Sequence, residues 1–171
     1  MLVLMNARDR ATGGSLPEVH ERLDHMMDWA ERHGARLAVL CLQVETEPGA
    51  DHEAVSAQVS LRLARTLRAT DELLVAGPNQ LVVLLPGVES VGDAATVARK
   101  VLAVLDEPFA VEGRVMSVDG RVGLALYPDH GFDADALLRN AEEARRRAEA
   151  QGDVRWHAPR SSLAVNDDVA G

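Results

Sequence analysis

The sequence is short of cysteine and of positive charge. A single cysteine, Cys41, excludes an intramolecular disulfide, and its place in an apolar run predicts a buried thiol, which suits a reducing cytoplasm. Lys and Arg number 18 against 27 Asp and Glu, which gives a formal net charge of −9. This balance argues against binding to nucleic acid or to an anionic membrane surface, since both require clustered basic residues. Any anionic ligand must therefore be held by a local group of cations.

Long apolar runs are absent as well. The apolar start, residues 1–5, is too short for the core of a signal peptide, and no other stretch approaches the length that spans a membrane. We therefore expect a cytoplasmic protein without membrane insertion. The six histidines form no metal-ligand pattern with cysteine or with each other, so we expect no bound metal and no cofactor.

The length and composition indicate one domain. The chain has 171 residues, 47% of them hydrophobic, which is enough for one substantial core. We assign residues 1–160 to this domain and residues 161–171 to a polar, flexible tail.

Apolar spacing along the chain predicts helices and strands in a mixed order. Apolar residues repeating every three or four positions predict helices at 17–33, 51–68, 94–105 and 133–151. Apolar runs bounded by turn residues predict strands at 37–42, 73–76, 81–85, 109–111, 115–118 and 120–127. This order implies an α/β (α+β) fold in which helices pack over a sheet.

A hairpin turn, Gly77-Pro78-Asn79-Gln80, joins the second and third predicted strands. With its flanks it resembles the signature region of GGDEF domains, the diguanylate cyclases that make cyclic di-GMP from GTP. Four further fragments match motifs of that family in the family's order: Asp9-Arg10-Ala11-Thr12-Gly13, Leu84-Leu85-Pro86-Gly87, Arg121-Val122-Gly123-Leu124-Ala125 and Leu137-Leu138-Arg139-Asn140-Ala141-Glu142. The resemblance implies the nucleotidyl-cyclase palm-like fold, with a mainly antiparallel central sheet of about five strands flanked by helices.

The residues that hold metal in GGDEF domains are replaced in this chain. Cyclase chemistry requires a divalent metal held by hard anionic oxygens near the attacked α-phosphate. The resemblance places Gln43 at the metal-binding Asp of the first strand, and Asn79 and Gln80 at the acidic pair of the signature. These amides carry no charge. Gly77 keeps the first signature glycine, but Pro78 replaces the second, which fixes φ and removes an N–H.

The base and phosphate contacts of the family are also altered. Segment 46–53 is several residues shorter than the guanine-reading stretch of relatives, and the Asn of that stretch has no counterpart. Glu149 and Asp153 stand where relatives have the Lys and Arg that hold triphosphate. The run Arg145-Arg146-Arg147 is interpreted as a solvated helix face paired with neighbouring glutamates. Together these departures predict a degenerate GGDEF-like domain without catalytic residues.

One binding motif of the family is retained. Arg68-Ala69-Thr70-Asp71 lies five residues before the signature, in the register of the Arg-x-x-Asp inhibitory site of many cyclases. The resemblance implies that Arg68 binds guanine and phosphate of cyclic di-GMP, that Asp71 contacts a guanine edge, and that Arg99 on the next helix assists. The alternative is structural: Arg68 is a solvated charge at a helix end, and Asp71 begins a turn.

Two classes of function follow from these patterns. The first is a catalytically silent regulatory domain that senses cyclic di-GMP through Arg68, Asp71 and Arg99. The second is a ligand-free interaction module that forms a homodimer or binds a partner signalling protein, such as a neighbouring EAL phosphodiesterase domain in a longer chain. A third class, nucleotide binding without turnover, is a further alternative.

Overall fold

The computed structural model describes residues 16–152 and 155–160. The predicted motif at 9–13, Asp153 and the predicted tail at 161–171 lie outside this part of the chain. No helix among the described residues is both long and apolar enough to cross a bilayer.

Four helices lie in the described part of the chain: α1 (Leu16–His33), α2 (His52–Ala64), α3 (Val91–Leu105) and α4 (Ala134–Gln151). The last three begin at side-chain caps. Asp51, Ser90 and Asp133 each accept hydrogen bonds from backbone N–H groups of the first turn, which would otherwise be unsatisfied.

The strands are β1 (Leu37–Glu45), β2 (Glu72–Gly77), β3 (Gln80–Pro86), β4 (Phe109–Val111), β5 (Arg114–Met116), β6 (Asp119–Tyr127) and β7 (Trp156–His157). Five of them form a sheet in the order β2-β3-β1-β6-β7, and β4 and β5 form a separate hairpin. All pairs in the main sheet are antiparallel except β6 with β7. The predicted α+β fold with a mainly antiparallel sheet of about five strands is confirmed.

The central strand β1 is buried along most of its length, which shows that both faces of the sheet are covered. Alternate residues of β1 face opposite sides. Ala38, Leu40 and Leu42 join the cluster that includes α2 and α3, whereas Val39 and Cys41 join the cluster that includes α1 and α4. The predicted buried thiol is confirmed, since Cys41 is 1% exposed.

Helix α4 approaches the sheet most closely at Gly123 of β6. A Cβ added there would lie 1.9 Å from the carbonyl oxygen of Ala141 and 2.4 Å from the nitrogen of Arg145. Only a residue without a side chain permits this contact. The position of α4 over β6 therefore depends on one glycine.

The predicted and observed elements differ at several places. Helix α2 was predicted to reach residue 68 but ends at Ala64, and Leu67 keeps the four-residue apolar spacing by packing on the core from a turn. The strand predicted at 115–118 is β5, Arg114–Met116, because Glu112 and Gly113 alone form the tight turn with positive φ. Strand β7 was not predicted at all, since two residues carry no readable periodicity.

Candidate functional site

Two of the three residues that the resemblance places at metal positions lie in one row across the sheet. Gln43 of β1 pairs directly with Gln80 of β3 on one side and with Arg121 of β6 on the other. Directly opposed residues have Cβ atoms about 4.5–5.5 Å apart on the same face of a sheet. Because Cys41 faces α1 and α4, the alternation of β1 puts this row on that face too. Two neutral amides therefore stand where the resemblance expects metal-binding carboxylates, and the cation Arg121 lies beside them.

The turn of the hairpin consists of two residues, Pro78 and Asn79, since Gly77, the last residue of β2, pairs with Gln80, the first residue of β3. The carbonyl of Pro78 accepts a hydrogen bond from Ser56 Oγ at 2.9 Å, and the carbonyl of Asn79 accepts one from the Val44 nitrogen at 2.9 Å. The predicted hairpin is confirmed. Its tip is fastened to α2 and to β1 by backbone carbonyls.

Arg121, the third member of the row, is held in place by the chain itself. Its Nη1 donates to Asp119 Oδ2 at 2.8 Å and to the carbonyl of Gly120 at 3.0 Å, and its Nη2 donates to the carbonyl of Gly152 at 3.2 Å. The side chain is 16% exposed. A positive charge is thus fixed beside Gln43, which disfavours a metal cation at the same place.

On α4 near this row, the buried side chain of Arg145 forms ion pairs with two partly exposed glutamates. Arg145 is 7% exposed, and it donates to Glu142 Oε2 at 3.2 Å and to Glu149 Oε2 at 3.1 Å. The predicted pairing with glutamates is confirmed, but the predicted solvated face is wrong for Arg145, because the close contact at Gly123 presses this residue against the sheet. Glu149 neutralises an internal cation and offers no positive charge to a phosphate.

The thiol of Cys41, on the same face of the sheet, is unreactive. Burial raises the pKa of Cys41 well above its ordinary value, and the nearby Glu142 carboxylate raises it further. The thiol therefore stays protonated and is a poor nucleophile or metal ligand. Among the described residues no group of three His, Cys, Asp or Glu side chains is placed to hold a metal ion.

The retained Arg-x-x-Asp motif lies at the opposite end of the sheet, directly before β2. Asp71 is 4% exposed and accepts three hydrogen bonds from Arg68: backbone nitrogen at 2.8 Å, Nε at 3.4 Å and Nη2 at 3.0 Å. Arg68 Nη2 also donates to the carbonyl of Pro86 at 3.0 Å. The structure brings Arg68 and Asp71 together, and the buried carboxylate forms a turn and orients the arginine.

The two members of the motif differ in their access to solvent. The side chain of Arg68 is 56% exposed, against 3% for that of Asp71. Arg68 Nη1 has no hydrogen-bond partner among the residues that the structure describes, so an arginine edge faces outward while the aspartate is occupied.

Arg99 lies elsewhere. It extends from α3 over the ring of Trp156 in β7, with its guanidinium carbon 5.1 Å from the ring centroid. Strands β2 and β7 are the two edges of the sheet, four strand spacings or about 19 Å apart. The structure does not bring Arg99 to Arg68 and Asp71.

A groove of about 390 Å³ lies between α1 and α4, and none of the predicted site residues lines it. Its charged groups include a pair that links the two helices, His20 Nε2 with Asp135 Oδ1 at 2.7 Å. The hydrogen bond from His20 to the Leu16 carbonyl, followed by the effect of Asp135, raises the pKa of His20. The groove is therefore a junction between helices rather than part of either predicted site.

A family model described as "Diguanylate cyclase, GGDEF domain" matches residues 53–155, which include the hairpin, the Arg-x-x-Asp motif and α4. The chain belongs to the GGDEF family. This confirms the resemblance drawn from the motifs and places the chain in a family of cyclic di-GMP signalling.

Curated GGDEF relatives are longer than this chain. A signalling protein of Caulobacter vibrioides is 29% identical over 139 residues, which cover 77% of this chain and 17% of the relative. The bifunctional diguanylate cyclase/cyclic di-GMP phosphodiesterase MucR of Pseudomonas aeruginosa is 27% identical over 139 residues, 77% of this chain and 20% of that protein. The chain thus spans about a fifth of the length of these two relatives.

Solved GGDEF domains share the fold. The GGDEF domain of TpbB from Pseudomonas aeruginosa is 25% identical with a TM-score of 0.78, covering 90% of this chain and 99% of that one. The GGDEF domain of DgcB from Caulobacter crescentus, solved in complex with cyclic di-GMP, is 14% identical with a TM-score of 0.70, covering 84% of this chain and 90% of that one. At this identity the second likeness shows the fold alone.

Two features of the sheet end that carries Gln43 were not predicted from the sequence. The burial of Arg145 depends on the contact at Gly123, and the alignment of Arg121 beside Gln43 depends on strand register. The only signal available in the sequence was the arginine at a position where the family motif has a serine.

Proposed function

We propose that this chain is a catalytically inactive GGDEF domain that acts as a regulatory domain by binding cyclic di-GMP at Arg68. The observation that carries the proposal is the contrast between the two ends of the sheet. One end has neutral amides beside internally paired charges, and the other keeps a half-exposed arginine oriented by a buried aspartate.

The inactivity rests on two losses and one added charge. Gln43, Asn79 and Gln80 offer amide oxygens, which bind divalent metal far more weakly than carboxylates. Arg121 adds a fixed positive charge beside them. Glu149 is engaged by Arg145, so no cation of α4 is presented there to a triphosphate. Metal binding and phosphate binding therefore fail for independent reasons.

Ligand binding is supported by the geometry around Arg68. Its guanidinium is planar and charged, and its outward edge suits a phosphate oxygen or the acceptor edge of guanine. Asp71 is engaged by Arg68, so its role is to position the arginine, while direct contact with guanine would require displacing Arg68. The pair is thus preorganised, which lowers the entropy cost of binding.

Calorimetric titration of cyclic di-GMP tests the binding proposal. Wild type is expected to show saturable heat at tens of micromolar, about −6 kcal/mol. Arg68→Ala is expected to lose about 1.5–3 kcal/mol, because a charge-assisted hydrogen bond disappears. Arg139→Ala, at an exposed site on α4, removes the same charge and is expected to bind as wild type does.

Two results of this titration would contradict the proposal. If wild type gives no saturable heat, the ligand-free interaction module becomes the better account of the domain. If Arg68→Ala and Arg139→Ala weaken binding equally, the effect is one of net charge and not of a site. Thermal unfolding of each variant checks that the fold is intact.

A GTP turnover assay with Mg²⁺ and with Mn²⁺ tests the inactivity. No cyclic di-GMP is expected above a protein-free control, because the attacked phosphate has no metal to stabilise the charge that builds on it. An authentic diguanylate cyclase under the same conditions is the positive control. Protein-dependent formation of cyclic di-GMP would refute the proposal of an inactive domain.

A further inference from the structure

Two arginines from different parts of the chain donate hydrogen bonds to backbone carbonyls of the loop between β3 and α3. Arg68 Nη2 donates to the carbonyl of Pro86 at 3.0 Å, and Arg36 Nη1 donates to the carbonyl of Glu89 at 3.3 Å. The Gly87 nitrogen donates back to the carbonyl of Arg36 at 2.8 Å, which fixes Arg36 beside this loop. Pro86 and Glu89 are three positions apart in the chain, so their Cα atoms are at most about 11 Å apart.

The sheet order explains why these two arginines are neighbours. Arg36 directly precedes β1 and Arg68 lies shortly before β2, and both strands flank β3. Both arginines therefore lie at the end of the sheet where β3 leaves it. They are two strand spacings apart, about 10 Å, whereas Arg99 lies over Trp156 of the far edge strand.

Arg36 has donors available for a ligand. Its side chain is 42% exposed, and both hydrogen bonds that it makes to described residues use Nη1: one to Glu89 and one to Asp129 Oδ2 at 3.0 Å. Nε and Nη2 have no partner within the described part of the chain. Asp129 is 38% exposed, so its pair with Arg36 is open to water and is easily exchanged for another anion.

We infer that Arg36, and not Arg99, is the second cation of the cyclic di-GMP site, and that Arg36 and Arg68 bind one ligand from the two ends of the 86–89 loop. The inference rests on the proposed function. A cyclic dinucleotide has two phosphodiesters and two guanine edges, and each guanidinium can bind either kind of group through paired N–H donors. Asp129 competes with the ligand for Arg36.

Titrations of cyclic di-GMP into four variants and wild type test the inference. Arg36→Gln is expected to weaken binding tenfold or more. Arg36→Lys is expected to weaken it less, because lysine keeps the positive charge and loses only the paired N–H donors of the guanidinium. Asp129→Asn removes the competing carboxylate and is expected to bind as tightly as wild type or more tightly. Arg99→Gln is expected to keep wild-type affinity.

Salt dependence gives a second readout that a purely structural role of Arg36 would not change. Raising NaCl from 50 to 300 mM screens contacts between exposed charges. The affinity of wild type is expected to fall with salt, and that of Arg36→Gln to fall less steeply. Thermal unfolding in the absence of ligand reports any loss of stability separately.

The failures can be told apart. If wild type binds and Arg68→Ala does not, but Arg36→Gln keeps wild-type affinity, the proposed function stands and the role of Arg36 is overturned. Equal loss in Arg36→Gln and Asp129→Asn also overturns it, because the ion pair and not the guanidinium would then matter. Absence of binding by wild type overturns the proposed function and this inference with it.

Discussion

Gly123 allows α4 to lie directly against β6. The added Cβ would meet backbone atoms of Ala141 and Arg145, which cannot move away as the end of a flexible side chain could. The same contact buries Arg145 beside Glu142, so Gly123 also determines the charges close to the row of Gln43, Gln80 and Arg121.

Gly123→Ala is therefore expected to destabilise the fold by about 1–3 kcal/mol or more, since overpacking forces the helix away from the strand. Urea unfolding measures the change. Gly92→Ala is the matched control: its Cβ would meet only Ser90 Oγ, at 3.7 Å, and alanine favours the helix that contains it. The close contact would be disproved by a Gly123→Ala variant as stable as wild type.

Asp71 shows how a motif residue serves a structural purpose. The sequence offered two interpretations of it, a guanine contact or the start of a turn, and in the structure its carboxylate accepts the Arg68 nitrogen as a turn residue does. The same carboxylate orients the guanidinium of Arg68. The structural alternative is thus present for Asp71, and the ligand contact of Arg68 stays a prediction.

The hairpin of β2 and β3 keeps the backbone that a metal site would need. Gln43 and Gln80 face each other across the β1 and β3 ladder, so carboxylates at these two positions would lie about 5 Å apart on one face. What the element lacks is charge. Restoring two carboxylates is therefore expected to recover metal binding in part, against the opposing charge of Arg121 beside Gln43.

Gln43→Asp combined with Gln80→Glu is expected to create Mn²⁺ binding. Without metal, the two like charges destabilise the sheet slightly, and Mn²⁺ at tenfold above its dissociation constant restores about 1.4 kcal/mol. Thermal unfolding with and without Mn²⁺ measures this. Each single substitution serves as a control, and equal stabilisation of wild type by Mn²⁺ would refute the expectation.

Among the helices and strands, the long periodic helices and most of the strands were predicted well, whereas the end of α2 was misplaced and β7 was missed. Helices α1, α3 and α4 repeat an apolar stripe over four turns or more, so their positions could be read from spacing. The end of α2 was misplaced because Leu67 continues the stripe into a turn. Strand β7 exists only because Val122 and Gly123 of β6 offer a parallel partner.

In the molecule as a whole, the two ends of one sheet have different chemistry. At the end with Gln43 and the hairpin, the arginines Arg121 and Arg145 are paired with neighbouring groups of the chain. At the end with Arg68 and the 86–89 loop, Arg68 and Arg36 have N–H donors that remain available. Both ends belong to one sheet, since β3 begins at Gln80 beside Gln43 and leads into the 86–89 loop at its other end.

The curated relatives are much longer than this chain. The chain spans about a fifth of the first curated relatives, whose remaining parts have no counterpart in it. Within a protein of such length, the proposed binding of cyclic di-GMP without its synthesis would serve regulation.

The sequence by itself determined the family, the α+β architecture and the presence of amides at Gln43, Asn79 and Gln80, where the resemblance expects acidic ligands, because these follow from residue identity and from local apolar spacing. Only the tertiary structure decided which charges meet. Arg99 was expected beside Arg68 and lies at the other edge of the sheet, while Arg36, with no motif to mark it, lies beside the 86–89 loop. Strand order brings distant residues together, and no local pattern in the chain encodes that order.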